Sequence, residues 1–202
     1  MCDASFARVP RALHLAALGH GATPPYLPAG LRQIGDALER DAAYSIRPLH
    51  QGSPAACGAR ARPIEQPLGQ ALPAGTSPAD QRVPACWIEL AEGPAQRVRL
   101  VEGETVCCGI LGVTLAPGHG IAGVETARGP LMHAAELAGD RVARYRIVAP
   151  TEWNFHPEGA LPADLIGRPA GAPRAVAQRV ELAVQSLDPC VRCSVEIVQP
   201  HA

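Results

Sequence analysis

Two cysteines near the C-terminus, Cys190 and Cys193, are the residues whose type and spacing most clearly suggest chemistry. Two thiolates separated by two residues can bind one metal ion or form a redox-active disulfide. Arg192 lies between them, and its positive charge favours the thiolate forms. The pair alone leaves three interpretations open: two incidental thiols, half of a zinc site, or a redox couple.

Composition excludes some partners and indicates a reducing environment. The chain carries 18 basic and 19 acidic side chains without a basic run, so we expect no nucleic acid partner. The longest apolar run, residues 106–124, is interrupted by Pro117 and His119 and predicts no membrane span. The odd number of cysteines, 7, and the absence of a clear secretory signal indicate a cytoplasmic protein with reduced thiols. In that environment a cysteine pair favours metal binding or thiol chemistry.

The chain divides by composition into a poorly defined region, residues 1–85, and an ordered domain, residues 86–202. Its 21 prolines and 20 glycines are well above the average for globular domains. Apolar side chains at helical spacing predict a short helix over residues 31–43. Repeated prolines in residues 47–84 predict a linker or an irregular loop, because each removes a backbone donor.

The second region predicts an α+β fold, in which short antiparallel hairpins pack with a few helices. Two short strands are expected within residues 86–100, around a Glu-Gly-Pro turn. A tight turn at Ala138-Gly139-Asp140 predicts a hairpin. The predicted strands that follow cover residues 123–128, 130–137 and 142–148.

Two further patterns complete the predicted fold. In residues 142–148 the apolar side chains of Ala143, Tyr145 and Ile147 alternate with arginines, which predicts one buried and one solvent-facing side of the strand. Pro150 is expected to end the regular structure and to begin a polar loop over residues 151–159. An apolar stripe then predicts a helix over residues 176–187 that leads to the cysteine pair.

Four short motifs occur in order along residues 118–197. They are Glu125-Thr126-Ala127-Arg128-Gly129 with His133, then Gly139-Asp140 with Tyr145, then Pro150-Thr151-Glu152-Trp153-Asn154, and finally Asp188-Pro189-Cys190-Val191-Arg192-Cys193. Together they resemble the C-terminal part of nickel–iron hydrogenase large subunits, whose pattern includes E-x-x-R-G-x-x-x-H, P-T-x-W-N and D-P-C-x-x-C. The resemblance implies that the domain has the fold of that part of a large subunit.

The resemblance also implies a role for each residue of the site. Cys190 would be a terminal nickel ligand and Cys193 a bridge to iron. Arg128 would point its guanidinium at the diatomic ligands on iron, because a planar donor fork suits cyanide nitrogens. Asp188 would hold that arginine or the loop in place.

Without these motifs the same residues have simpler interpretations. Arg128 would be a surface charge paired with Glu125, and His133 a strand histidine with its hydrogen bonds satisfied. Trp153 and Asn154 would anchor a loop by packing and hydrogen bonding.

The N-terminal cysteine pair of active large subunits, R-x-C-G-x-C, has no good match in this chain. The nearest segment is Cys57-Gly58-Ala59-Arg60, where an arginine stands at the second thiol position. The adjacent Cys107 and Cys108 are the other candidate thiols. Glu196 replaces the histidine that marks tail trimming in the family. In these departures the chain resembles the HupK/HoxV-type hydrogenase expression/formation proteins, which have incomplete metal sites.

The resemblance therefore implies a maturation scaffold that is not itself catalytic. Cys190 and Cys193 would transiently hold iron with cyanide and carbonyl ligands, with nickel as a possible second metal. The expected partners are hydrogenase maturation proteins and the hydrogenase large-subunit precursor. One alternative is a divergent or truncated nickel–iron hydrogenase large subunit, which would need two further thiolates. The other is a small zinc or thiol-redox protein that uses the cysteine pair alone.

Overall fold

The computed structural model of the chain describes residues 16–17, 28–62, 77–103 and 110–198. Its helices and strands, in chain order, are β1 (Ala16–Ala17), α1 (Pro28–Arg40), β2 (Ala55–Ala56), α2 (Pro78–Val101), β3 (Ile110–Ala116), β4 (His119–Thr126), β5 (Gly129–Ala138), β6 (Arg141–Val148), α3 (Pro150–Asn154), α4 (Ala160–Leu165) and α5 (Pro173–Ser186). Short 3₁₀ helices cover Ala42–Ser45 and Ala59–Ala61. The predicted α+β class is confirmed.

A four-stranded antiparallel sheet in the order β3-β4-β5-β6 forms the centre of the fold. The predicted strands and the hairpin between β5 and β6 are confirmed, and Gly139 in that turn has a φ of +64°. The strand predicted at residues 123–128 begins earlier, at His119, and ends at Thr126. Arg128 therefore lies in the turn between β4 and β5. The sequence did not predict β3, because its residues were read as part of a longer apolar run.

Helix α1 packs on one face of this sheet. Its apolar stripe, Leu31, Ile34 and Leu38, is almost completely buried. The helix predicted at residues 31–43 is confirmed, although it begins at Pro28 and ends at Arg40. The core residues around the stripe are Ala55, Cys57, Leu111, Ile121, Met132, Val148 and Trp153. Arg32 extends the contact, since its Nη2 donates to the carbonyl of Thr114 at 2.7 Å.

The strands predicted within residues 86–100 are wrong, because this stretch belongs to the single helix α2. The helix also contains Pro84 and Pro94, although each interior proline removes a helical hydrogen bond. Burial of Ala79, Ala85 and Ile88 on one side of the helix explains why tertiary packing outweighs the local proline penalty. Trp87, which suggested a strand, is 66% exposed.

The proline-rich stretch is therefore only partly irregular. Residues 47–62 form turns, an isolated bridge between His50 and Ser53, and the strand β2. Residues 63–76 lie outside the described part of the chain, and helix α2 begins at Pro78. The division of the chain at residue 85 remains a prediction.

The predicted orientation of β6 is also wrong. Tyr145 and Ile147 were expected on the buried side, but they are 56% and 44% exposed. Val148, on the opposite side of the strand, pairs with Met132, and both are fully buried. Successive side chains of a strand alternate between faces, so the face covered by the core decides which set is buried. Here that face carries Val148.

The segment after β6 is more regular than predicted. Pro150 begins the short helix α3, because proline suits the first turn of a helix where its missing N–H is not needed. The polar loop predicted at residues 151–159 therefore starts only after Asn154. The helix predicted at residues 176–187 is confirmed as α5. Within the described ranges, no helix combines the length and apolar character that a membrane crossing requires.

Candidate metal centre

The two C-terminal thiols lie on the loop that follows α5. Cys190 and Cys193 are exposed free cysteines. The hydroxyl of Thr151, at the start of α3, donates to the Cys190 sulfur at 3.9 Å. The thiol of Cys193 lies 3.5 Å from the carbonyl oxygen of Val191. Both thiols are thus accessible from solvent, and Cys190 lies close to the beginning of α3.

Asp188 turns the chain from α5 into this loop. It has a φ of +49°, a left-handed conformation in which aspartate is more common than most residues with a β-carbon. Its amide donates to the carbonyl of Gln185 at 3.0 Å, so the turn remains tied to the end of the helix. Leu187 beside it is buried. The turn therefore separates helix α5 from the loop that holds Cys190 and Cys193.

Arg128 binds Asp188 across sixty positions of sequence. Its Nε lies 3.0 Å from both the backbone oxygen and a carboxylate oxygen of Asp188, and Nη2 lies 3.4 Å from the second carboxylate oxygen. The structure therefore brings together two residues that the sequence predicted to act in one site. The role of the pair toward a metal remains a prediction.

Arg62 holds the turn that carries Arg128, and sequence reasoning missed it. Its guanidinium donates to the carbonyls of Thr126 at 2.9 Å and Ala127 at 2.7 Å. It also pairs with Glu125, at 2.6 Å, and with Glu89 of α2. The simpler interpretation of Arg128 paired it with Glu125, and the structure places Glu125 against Arg62. No motif marks Arg62, because it lies next to a proline in a stretch predicted to be irregular.

Cys57 lies buried beneath the same turn. Its sulfur is 3.3 Å from the carbonyl oxygen of Arg128, 3.4 Å from Oδ1 of Asn154 and 3.5 Å from the carbonyl oxygen of Pro150. All three are acceptors, so the thiol must be the donor. Burial, followed by the negative charge of Glu125, raises the pKa of the Cys57 thiol far above its ordinary value. Metal ligation requires a thiolate, and this environment stabilises the neutral thiol.

A small cleft of about 20 Å³ separates Cys57 from the loop after α5, which is room for about one water molecule. Arg60, Arg82, Cys86, Arg128 and Asp188 are among its lining residues. Sequence context offered no reason to select Cys86, and only the packing of α2 places it here. Burial and the negative charges of Glu89 and Asp188 raise the pKa of its thiol.

Within residues 16–17, 28–62, 77–103 and 110–198, no three histidine, cysteine, aspartate or glutamate side chains are grouped closely enough to hold a metal ion. Cys107 and Cys108 lie outside the described residues. Cys190 and Cys193 are soft, exposed donors on the loop that begins at Asp188, the residue paired with Arg128.

The remaining motif residues have the simpler roles. His133 stacks on Tyr145, and its Nδ1 lies 2.5 Å from the tyrosine hydroxyl. Trp153 is fully buried in the core. Asn154 accepts a hydrogen bond from the backbone N–H of Cys57 at 2.9 Å. Trp153 and Asn154 therefore anchor the segment after β6.

The segment that carries the sheet and the thiol loop is similar to a known family. Residues 112–196 match the family described as nickel-dependent hydrogenase. This segment contains most of the sheet, the Arg128 turn and the loop with Cys190 and Cys193. The match confirms the resemblance to nickel–iron hydrogenase large subunits that the motifs predicted.

Two similar proteins have names that refer to hydrogenase formation. Hydrogenase expression/formation protein HoxV of Cupriavidus necator is 33% identical over 184 residues, which cover 84% of this chain and 45% of HoxV. Hydrogenase expression/formation protein HupK of Rhizobium leguminosarum bv. viciae is 41% identical over 97 residues, 47% of this chain and 26% of HupK.

The uptake hydrogenase large subunit of Alcaligenes hydrogenophilus is 32% identical over 89 residues, 40% of this chain and 14% of that subunit. The chain spans less than half the length of each of these three relatives.

Proposed function

We propose that this chain is a hydrogenase maturation scaffold whose Cys190 and Cys193 hold iron carrying cyanide and carbonyl ligands. The observation that carries the proposal is the Arg128–Asp188 pair, which ties a planar cationic donor to the start of the loop that holds two exposed free thiols. The names of the similar HupK and HoxV proteins support a role in hydrogenase formation. The family match supports iron and nickel as the metals of the pathway.

The iron unit is the cargo of this scaffold, and the chemistry of the donors suits it. Thiolates are soft ligands that suit low-spin iron with cyanide and carbonyl ligands. Nε and Nη2 of Arg128 face Asp188, so Nη1 is the donor directed away from that carboxylate. Hydrogen bonds from this nitrogen would orient the cyanide ligands, because cyanide nitrogens can accept hydrogen bonds from N–H groups that lie in the plane of the guanidinium.

Two thiolates, rather than four, also suit release of the cargo. Handover to a large-subunit precursor would exchange the two iron–sulfur bonds to Cys190 and Cys193 for bonds to thiolates of the precursor, without a change in oxidation state. The exposure of both cysteines leaves room for such an exchange. Nickel would join the iron after the transfer. The partners in this scheme are cytoplasmic maturation proteins and the precursor, and the chain itself has no catalytic role.

Infrared spectroscopy of the protein tests the proposal directly. After anaerobic co-expression with the hydrogenase maturation proteins, the purified wild type is expected to show cyanide and carbonyl stretching bands. Cys190→Ala and Cys193→Ala are each expected to lose them, because one thiolate holds the unit too weakly to survive purification. Cys86→Ala is the matched control, since Cys86 is also an exposed free thiol, and its bands are expected to equal those of the wild type.

Two results would contradict the proposal. Wild-type protein without cyanide or carbonyl bands would exclude the iron cargo, as would bands that survive in Cys190→Ala. One tightly bound zinc ion per chain, with no diatomic bands, would instead support a small zinc protein.

Arg128→Ala is expected to retain some iron with shifted cyanide bands, because the guanidinium orients the ligands without binding the metal.

A further inference from the structure

The Cys57 thiol has a role in the geometry of the site that does not require it to bind a metal. We propose that Cys57 is a positioning residue, which holds the Arg128 turn and, through the Arg128 guanidinium, the loop that carries Cys190 and Cys193. The geometry of the apoprotein supports this inference. Only the assignment of the two C-terminal thiols as ligands rests on the function proposed above.

The first support is the direct contact between Cys57 and the backbone of Arg128. The buried thiol donates to the Arg128 carbonyl oxygen at 3.3 Å. On its other side it faces Pro150 and Asn154 of α3. The backbone N–H of Cys57 is held by Oδ1 of Asn154 at 2.9 Å. The sulfur is therefore a neutral link between the segment after β2, the turn between β4 and β5, and helix α3.

Two glycines allow the turn to approach Cys57 this closely. A β-carbon added at Gly129 would lie 2.4 Å from the Cys57 sulfur, a distance that real β-carbons essentially never show. A β-carbon added at Gly58 would lie 3.3 Å from the Arg128 carbonyl oxygen. Gly58 and Gly129 both have positive φ, +98° and +123°, which glycine adopts readily. The two backbones thus interlock around the thiol.

The second support is the path from this turn to the thiol loop. The side chain of Arg128 leaves the turn and donates to both the backbone oxygen and the carboxylate of Asp188. Asp188 is one of two non-glycine residues with positive φ in the described ranges, the other being Gln51. Because such a conformation persists only where its surroundings hold it, the contact with Arg128 stabilises the direction of the loop. A shift of the Arg128 backbone would therefore loosen Asp188 and the cysteines that follow.

Amide hydrogen exchange of the apoprotein, followed residue by residue by NMR, tests the inference. The probe is the amide of Asp188, which donates to Gln185. In Cys57→Ala its exchange is expected to accelerate by about tenfold, because local opening becomes easier. Cys57→Ser keeps a donor and is expected to restore part of the protection. The amide of Leu137, which donates to Gly118 at the far hairpin, is expected to exchange as in the wild type.

A double variant separates positioning from general support of the fold. Arg128→Ala alone is expected to accelerate exchange at Asp188, and adding Cys57→Ala is expected to cause no further change there. Independent, multiplying effects of the two substitutions would overturn the inference, as would equal acceleration at Leu137 and Asp188. If the Cys57→Ala variant does not fold, the Cys57→Ser variant provides the test. Exchange of the Asp188 amide that is as fast in Cys57→Ser as in Arg128→Ala would overturn the inference.

Cys86→Ala is the matched control in this experiment. Cys86 lines the same cleft but belongs to α2, and among the described residues its thiol has no hydrogen bond to the Arg128 carbonyl, so wild-type exchange at Asp188 is expected. All these measurements use metal-free protein. A failure of the infrared experiment would thus leave the positioning role standing, and a failure here would leave the cargo proposal standing.

Discussion

Replacing Gly129 with alanine is expected to lower the free energy of unfolding by about 3 to 5 kcal/mol. The φ of +123° at this position lies in a region that glycine populates and alanine avoids. The added methyl group would also lie 2.4 Å from Sγ and 2.6 Å from Cβ of Cys57. Neither atom can move freely, because Cys57 is packed in the core. Backbone strain and overpacking therefore add at one position.

Gly139→Ala separates these two effects. Gly139 also has positive φ, +64°, but an added β-carbon would meet nothing within 4 Å. Only backbone strain remains, so the expected loss is about 1 kcal/mol. Chemical denaturation of both variants, with the midpoint and slope fitted separately, provides the comparison. Equal losses in the two variants would contradict the close packing of Cys57 against the turn.

Asp164→Ala is expected to destabilise the protein by about 3 to 5 kcal/mol, the usual effect of removing one partner from a buried ion pair. The carboxylate of Asp164 lies 2.6 Å from Nη1 of Arg82, and their side chains are only 3% and 8% exposed. The substitution would leave the Arg82 guanidinium buried without that carboxylate. The substitution would also remove a charge that offsets the repulsion between Arg82 and Arg60. Burial is the main cause of the lowered pKa of Arg60; the positive charge of Arg82 lowers this pKa further, and the carboxylate of Asp164 raises it.

The Arg82–Asp164 ion pair lies near the end of α5, which leads to the loop with Cys190 and Cys193. Arg82 belongs to α2 and Asp164 to α4, and Nη1 of Arg82 also donates to the hydroxyl of Ser186 at the end of α5. The three helices are therefore tied together two residues before Asp188. Loss of the pair is expected to loosen the end of α5 as well as to destabilise the fold.

Arg144→Ala is the control for this prediction, because it removes an exposed ion pair. Nη1 of Arg144 lies 3.1 Å from Glu136, and the arginine side chain is 56% exposed. Water screens such a pair, so the expected loss is below about 1 kcal/mol. Thermal and chemical denaturation of both variants measure the difference. If Asp164→Ala cost no more than Arg144→Ala, the buried pair would not hold the helices together.

Local patterns predicted the elements whose contacts are close in sequence. The hairpin of β5 and β6 follows from alternating strands and a glycine turn, and helix α5 from its apolar stripe. These signals are reliable because hairpins and amphipathic helices form from neighbouring residues. The β6 strand shows the limit of the same reasoning. Its period was correct, but the choice of buried side depended on the core that packs beneath Val148.

Helix α2 shows a different limit. Its prolines and its Glu-Gly-Pro segment predict a break, and local chemistry offers no contrary signal. Burial of Ala85 and Ile88 and the Arg82–Asp164 pair stabilise the helix through partners far away in sequence. Arg62 was missed for the same reason. Its contacts with Glu89 and with the turn between β4 and β5 form only after α2 packs beside that turn.

The sequence by itself indicated the resemblance to the family and predicted which residues form the site, because motif letters and their order do not depend on packing. It also showed that Cys190 and Cys193 lie in a motif of the family, whereas the second cysteine pair of that family has no good match. Only the tertiary structure decided that Arg128 binds Asp188 and that Cys57 is a buried neutral donor. Both facts depend on distances between segments sixty or more positions apart and on the exclusion of water around a sulfur atom, and neither is encoded in local spacing.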